Sequence, residues 1–401
     1  MEKLMSIKKA TDREIIEKCN AAIERIRSHH LRAWEGSGGN IFFISDEYPA
    51  VWMEHTFDSL VWASLSGETQ VAVNETMLFI NNQREDGHFP FVVGDGHLGF
   101  GQLQECVSFA SLCFEVYEMT GDRDYLEKVY SACQRWDEWL VKNRMGEHGL
   151  IEMYCGFDTG HDHSGRLTGM KYPGRVSTEA ADKPEGCPVA PLVAPDLNAI
   201  FYGDRIALSK MAEKLGLHEE SDKWTRGAEE IRAKIFEYCF DENDLFFYDV
   251  DKNGEKRRIK SISITAQLVE GVLQKELADK IFDRYFRGEG EFNTPYPYPA
   301  VSSSDPLFMK NRPGNSWGYY SQGLTQLRTL RWMKQYGYEE EMRHNLRLWL
   351  DAWTASQLPF GQELDPFTGE PSACSPHYSS TMLFYLYAAR ELGIWKEEIK
   401  K

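Results

Sequence analysis

Residues 317–356 read WGYYSQGLTQLRTLRWMKQYGYEEEMRHNLRLWLDAWTAS. Apolar residues recur at helical spacing on both sides of Gly337, which reads as a turn. The segment is therefore two helices, 317–336 and 338–356, joined by a short connection. Working outward, the same pattern recurs. Thr11 and Glu14 form a capping-box pattern ahead of IIEKCNAAIERI. Residues 56–84 carry helical spacing in two pieces. Further helices are predicted over 102–120, 122–143, 196–214, 219–239, 262–273, 275–287 and 377–393. Gly121-Asp122, Gly216 and Gly254 punctuate them. Strand-like runs are few, such as LFFYDV at 245–250. The sum is roughly twelve helices with alternating long and short connections, without linker or low-complexity stretch, and so an all-α single domain over residues 1–401. Helix pairing alone leaves both a closed α/α toroid and an open solenoid.

The chain has 401 residues, of which 42 % are hydrophobic and 27 % charged, as expected for a globular protein with a large core. Aromatic residues reach 13 %. They fit either an aromatic-rich core or a cleft lined with flat rings, as sugar sites need. A net charge of −17 argues against nucleic acid or an anionic membrane as partner. The first residues, MEKLMSIKKATDREIIEK, lack an apolar signal core, and no apolar run approaches ~18 residues. Eight cysteines without a CxxC pair read as reduced thiols. The expected location is the cytoplasm.

Three signals carry little weight. Gly94-Asp-Gly96-His-Leu-Gly99 matches GxGxxG, but no alternation of strands and helices surrounds it. Asp249-Val-Asp251-Lys-Asn253-Gly254 opens like a calcium loop, yet Lys260 stands where a bidentate Glu is needed, so it reads as a polar turn. His161 and His163 do not supply a zinc site's ligand spacing. No metal or cofactor is expected.

Three connections, 31–55, 145–195 and 288–316, are long and rich in Pro, Gly and aromatics, and long loops in compact domains usually carry function. Within the second, 168–195 reads either as a lid or as an excursion. Inverting glycoside hydrolysis needs two carboxyls on opposite faces of the scissile bond, one protonated and one ionised. Two segments offer acids beside Gly and aromatics, far apart in the chain. One runs from Tyr154 through Asp158, Gly160 and Asp162 to Arg166. The other runs from Phe360 through Gln362, Glu363 and Asp365 to Glu370. Asp365-Pro366 with Thr368-Gly369 reads as a tight turn presenting Glu363 at the start of a loop. By chemistry alone both segments also read as solvated acidic turns.

Several segments, in order, resemble the (α/α)6-barrel inverting glycoside hydrolases that include mannosylglycerate hydrolase, trehalase and processing α-glucosidase. Tyr48 to Ser59 resembles that group's first signature, with Phe57 where Trp is usual. Asn82 to Pro90 resembles its Gln/Asp-Gly/Pro element, and Gln102 to Glu105 follows. Asp158-Thr-Gly160-His-Asp162-His-Ser164-Gly-Arg166 is similar to the acid motif. Asn315 to Gly318 and His377-Tyr378-Ser379 resemble later elements. Asp365-Pro-Phe-Thr368-Gly369 is similar to the second half of the base motif, whose Glu usually stands where this chain has Gln362.

The resemblance implies an (α/α)6 toroid acting on a small α-linked glucoside or mannoside. Asp162 is then the general acid, with Asp158 as the rival frame. Glu363 is the general base, with Glu370 next in line. Trp52, His55, Asp58, Gln104, Asp158, Arg166, Trp317 and His377 are the expected sugar-contacting residues. The implied partner is a small carbohydrate, without nucleic acid or membrane, and the oligomeric state is open. A sugar epimerase or isomerase on the same barrel would use His55 or His377 for proton transfer. A sugar-binding toroid without catalysis is the third reading.

Overall fold

A computed structural model describes residues 9–34, 36–45, 48, 50–94, 97–171, 177–310 and 312–396. Twelve α-helices occur among them: α1 (Asp12–Arg25), α2 (Thr56–Ser66), α3 (Thr69–Asn81), α4 (Phe109–Thr120), α5 (Arg123–Arg144), α6 (Pro195–Leu215), α7 (His218–Lys234), α8 (Thr265–Val269), α9 (Lys275–Phe282), α10 (Gly323–Tyr336), α11 (Glu339–Ala355) and α12 (Ser379–Glu391). The capping box of α1 is formed. Thr11 Oγ1 accepts from the Glu14 N–H at 3.3 Å, and the Glu14 carboxylate accepts from the Thr11 N–H at 2.8 Å.

The even-numbered helices form an inner ring. α2, α4, α6, α8, α10 and α12 each pack against the next, and α12 packs back against α2. Burial follows from that placement. Every residue of α2 except Ser64 is buried, because neighbours surround it. Outer α7 buries only Trp224, Ala228 and Ile231 along one stripe and wets the rest. The seam between first and last inner helices is fastened by Asp58, which accepts from the hydroxyls of Ser379 and of Ser380, the latter at 2.9 Å. The ring is closed, which excludes the solenoid.

Connections from inner to outer helices are short. α2, α4, α6 and α10 each end on a left-handed glycine, Gly67, Gly121, Gly216 and Gly337, which satisfies the last carbonyls and reverses the chain. The return connections are long, and all arrive at the N-terminal ends of inner helices, so they gather on one face. The loops 31–55, 145–195 and 288–316 are three of these; residues 82–108, 235–264 and 356–378 are the others.

Several helices are shorter than the periodicity predicts. Residues 102–108 are not helical, because the Leu103 N–H is taken by the Asp158 side chain and the Glu105 N–H by its carbonyl. Helix α10 begins at Gly323, since Ser321–Gln322 pairs in a two-residue ladder with Glu363–Leu364. Over 262–273 only one α-helical turn forms, and 219–239 and 275–287 end in wide π turns. The LFFYDV run divides into Phe246–Phe247 and Asp249–Val250.

Gly94 and Gly99 lie on an antiparallel hairpin, Val92–Gly94 with His97–Gly99, not on a strand-to-helix turn; Asp95 and Gly96 between them lie outside the described residues. Asp251 caps the N–H groups of Asn253 and Glu255, so that segment is a polar turn. Within 168–195, residues 172–176 lie outside the described residues, and the Ser177 carbonyl is pinned by the N–H groups of Phe100 and Gly101. No described helix is long and apolar enough to cross a membrane.

Candidate active site

Asp162 and Glu363 come from opposite halves of the chain and meet on one residue. Asn315 donates its side-chain amide to Asp162 at 3.4 Å and its backbone N–H to Glu363 at 2.9 Å. Its side-chain carbonyl accepts from Gln362 at 3.0 Å. The residue holds φ at 51°, a left-handed conformation that Asn tolerates better than most. A single asparagine therefore spans the gap between the two acids.

Glu363 stands on the two-residue ladder opposite Gln322, not at the start of a loop as the turn signal implied. It is fully buried. Its oxygens accept from the N–H groups of Asn315 and Ser316, from Gln322 at 2.6 Å and from the Ser372 hydroxyl at 2.9 Å. Burial raises its pKa, and the four donors oppose that by stabilising the ionised form. The Asp365 turn forms behind it: Asp365 caps Phe367 and Thr368, and Glu370 is exposed.

The acid loop rests on two buried ionic anchors. Asp158 accepts from Arg144 at 2.8 Å and from the N–H groups of Leu103, Tyr154 and Cys155. Burial pushes its pKa up, but Arg144 and these donors outweigh that and leave it below the usual range. A carboxylate so held carries no proton to give, and its acceptor capacity is used up. Arg166 spends all five N–H donors internally, on Asp196, Asp249 and His161. Asp158 and Arg166 thus hold the loop that carries Asp162.

Arg166 also fixes His161. A guanidinium cannot accept, so His161 Nδ1 accepts from it at 3.2 Å and the ring proton sits on Nε2. Burial, helped by Arg166, lowers the His161 pKa to about 3 and keeps the ring neutral. The imidazole stacks on Trp317, centroids 4.6 Å apart. Gly160, one residue before, is required by space: a Cβ there would lie 2.3 Å from Cys106 Sγ and 2.4 Å from Glu54 Oε2. Its φ of 69° adds a second demand for glycine.

Glu54 is a site acid that the sequence did not single out. It accepts from Gln104 at 2.9 Å and from the Cys106 thiol at 3.3 Å. Burial, then the negative charge of Asp162, raises its pKa to about 7. An acid between Met53 and His55, just ahead of a mostly buried helix, was the available signal. His55 donates to or accepts from the Tyr378 hydroxyl at 2.7 Å, and burial with the field of Arg328 lowers its pKa to about 3. Arg328 of α10 is buried, and its Nε and Nη2 have no hydrogen-bond partner among the described residues. Burial raises the Asp58 pKa to about 7, against the Ser379 and Ser380 hydroxyls. Trp52 is half-buried and meets Tyr48 edge-on at 5.3 Å. His377 is half-buried with φ of 61°.

The family described as the mannosylglycerate hydrolase MGH1-like glycoside hydrolase domain matches residues 49–381. A stretch of 177 residues, 41 % of the chain, is 27 % identical to the cytosolic neutral trehalase of Kluyveromyces lactis and covers 23 % of it. A stretch of 219 residues, 55 % of the chain, is 22 % identical to an uncharacterized protein of Borreliella burgdorferi and covers 40 % of it. The chain thus spans less than half the length of these curated relatives. The fold superimposes on the crystal structure of the GH63 mannosylglycerate hydrolase from Thermus thermophilus in complex with glucose, with a TM-score of 0.69 and 18 % identity over 92 % of this chain and 98 % of that one. That likeness is one of fold. The family match runs from ahead of α2 into α12 and takes in Asp162, Asn315 and Glu363, so the chain, a closed (α/α)6 barrel, belongs to the mannosylglycerate hydrolase MGH1-like glycoside hydrolase family.

Proposed function

We propose that this protein hydrolyses a small α-linked glucoside or mannoside with inversion, Asp162 acting as general acid and Glu363 as general base. The observation that carries the proposal is the convergence of both carboxylates on Asn315. One side chain's span suits the roughly 6.5–9.5 Å separation of inverting pairs, which leaves room for a water. The electrostatics support a division of labour. The negative charge of Asp162 raises the Glu54 pKa, and like charges this close disfavour joint ionisation, so the Asp162–Glu54 pair holds a proton between its two carboxyls. Burial pushes the Glu363 pKa up, and its four donors work against that, towards the ionised form that a base requires.

In the reaction, water attacks the anomeric carbon on one face while Glu363 takes its proton. The glycosidic C–O bond breaks on the other face, and the Asp162 proton passes to the departing oxygen. The Ser372 hydroxyl, an uncharged and rotatable donor, is the contact that yields to the attacking water. The sugar lies against Trp52, His55, Asp58, Gln104, Trp317 and His377, and the three long loops belong to one catalytic unit over residues 1–401. Thermus and Kluyveromyces relatives described as a mannosylglycerate hydrolase with bound glucose and as a trehalase support glucosides and mannosides as the substrate class. Eight free cysteines and the cytosolic relative support action in the cytoplasm.

The test is early-time proton NMR of the sugar released from α-glucosides and α-mannosides, read before mutarotation. The β-anomer should appear first. An initial α-anomer overturns Glu363 as base, and no release from either series overturns hydrolysis.

A further inference from the structure

We propose that Arg328 and Thr159 form a pocket inside the barrel that receives the 4-hydroxyl of the sugar whose glycosidic bond is cleaved; this rests on the hydrolytic reading above. Arg328, on the second turn of α10, is only 8 % exposed, and its Nε and Nη2 have no hydrogen-bond partner among the described residues. Arg144 and Arg166 are as deeply buried, but carboxylates hold them both. The Thr159 hydroxyl, on the acid loop, is buried and likewise has no partner among the described residues. Both residues line one small cavity together with Cys106, His161, Ile200 of α6 and Val269 of α8. Side chains of three inner helices meet there, so the cavity lies within the ring.

Size, depth and charge name the occupant. The cavity measures about 20 Å³, room for one water-sized group such as a hydroxyl. Asp162 comes from the acid loop, and Glu363 pairs with Gln322, the residue ahead of α10, so the scissile bond lies at the loop face. Arg328 stands six residues beyond Gln322, about 9 Å deeper at the rise of an α-helix. In a pyranose C4 lies across the ring from C1, so a sugar with C1 at the acids turns its 4-hydroxyl inward. The Nε–H and Nη2–H of a guanidinium share one edge and can donate together to a single oxygen, while Thr159 Oγ1 can accept that hydroxyl's proton. A carboxylate suits the cavity less, because Asp196 lines it too and the charge of Arg328 already acts on Glu54 and Asp58. Glucosides and mannosides carry the same equatorial 4-hydroxyl and differ at C2, so one pocket serves both.

The test compares an aryl α-D-glucoside and an aryl α-D-mannoside with their 4-deoxy analogues. The hydroxyl meets a charged donor, so its removal should lower kcat/KM on the order of tenfold to a hundredfold. In Arg328→Met, and more weakly in Thr159→Val, the parent-to-deoxy ratio should fall towards one. A merely structural role would slow both substrates together and leave the ratio as it was, so an unchanged ratio in both variants overturns the proposal. Equal cleavage of parent and 4-deoxy substrate by the native enzyme overturns it too, as does an Arg328-dependent ratio for the 3-deoxy or 6-deoxy analogue in place of the 4-deoxy one. Should Arg328→Met fail to fold, the native series and Thr159→Val decide by the same ratios. If neither parent releases sugar, hydrolysis is what has failed, and calorimetric binding of the methyl glycosides and their 4-deoxy analogues then decides the pocket. Tighter binding of the parent, with the advantage lost in Arg328→Met or Thr159→Val, upholds it, and equal affinities overturn it.

Discussion

The Asn315 side chain donates to Asp162 while its own backbone N–H holds Glu363, so the two acids are placed by one residue in a left-handed conformation. Asn315→Gly separates these duties. Glycine keeps the backbone conformation and the N–H to Glu363 but removes the amide. The donor stabilises the Asp162 carboxylate, so its loss raises the acid's pKa. The alkaline limb of the kcat/KM profile should move to higher pH, and kcat should fall about tenfold, the worth of one net hydrogen bond. A pH–rate series on purified protein checks both.

Asp162→Asn and Asp158→Asn should fail differently. Losing the acid costs about 10²–10⁴-fold in kcat, less on activated aryl glycosides, with little change in melting temperature. Asp158→Asn leaves Arg144 buried without its counter-ion, which typically costs about 3–5 kcal/mol, so it should melt far earlier. Leaving-group rescue by Asp158→Asn in place of Asp162→Asn would transfer the acid role to Asp158.

Ser372→Ala removes one of four donors to Glu363. Fewer donors favour the protonated form, so the base's pKa should rise. The acidic limb of the pH–rate profile should shift up, and activity well above that limb should persist. Glu363→Gln, by contrast, should be inactive at every pH; if it stays active, Glu370 is the next residue to test.

The buried carboxyls should favour pH 5 over pH 8, working against the buried His55, His88 and His161, whose pKa values of about 3 favour the higher pH. Burial raises the Glu75 pKa well above 4.5, while burial also raises Glu54, Asp58 and Glu270 to about 7. The unfolded chain ionises these groups at ordinary carboxylate values, so between those and the folded values it binds fewer protons. Their contribution to stability therefore falls as pH rises through that window. Glu75→Gln keeps an acceptor for the Phe42 N–H and abolishes one such group. Its melting temperature should gain on the order of a few degrees at pH 8 and little at pH 5, by scanning calorimetry.

Much of the architecture was readable because its signals are local. Gly121, Gly216 and Gly337 marked short turns where helices do end, and alternating connection lengths imply long loops on one face. The acid and base segments were readable as Gly-rich loops carrying carboxylates. The partners of those carboxylates were not. Asp158 pairs with Arg144 and Arg166 with Asp249, and a loop acid reads the same whether its cation is protein or its hydroxyl is a sugar's. Glu54 was hidden for the opposite reason, since a lone acid among Met53, His55 and Phe57 resembles an error in a core helix more than a site. The short helices were missed where side chains such as Asp158 compete for backbone N–H groups that periodicity assigns to a helix.

The Asp58 clasp to Ser379 and Ser380 joins the two extremes of the inner ring. A linear stack of helix pairs can fray from either terminus, with each unit's loss costing only one interface. A ring offers no such terminus. Removing α12 strips α2, α10 and α11 of a neighbour together, and α1, which packs on α11 and α12, loses its footing as well. Unfolding should therefore be a single cooperative event, and C-terminal truncation ahead of Ser379 should abolish the folded state rather than trim it. The two carboxylates depend on the same arithmetic: each is delivered by loops feeding different inner helices, so only a chain that has met its own beginning can bring them together.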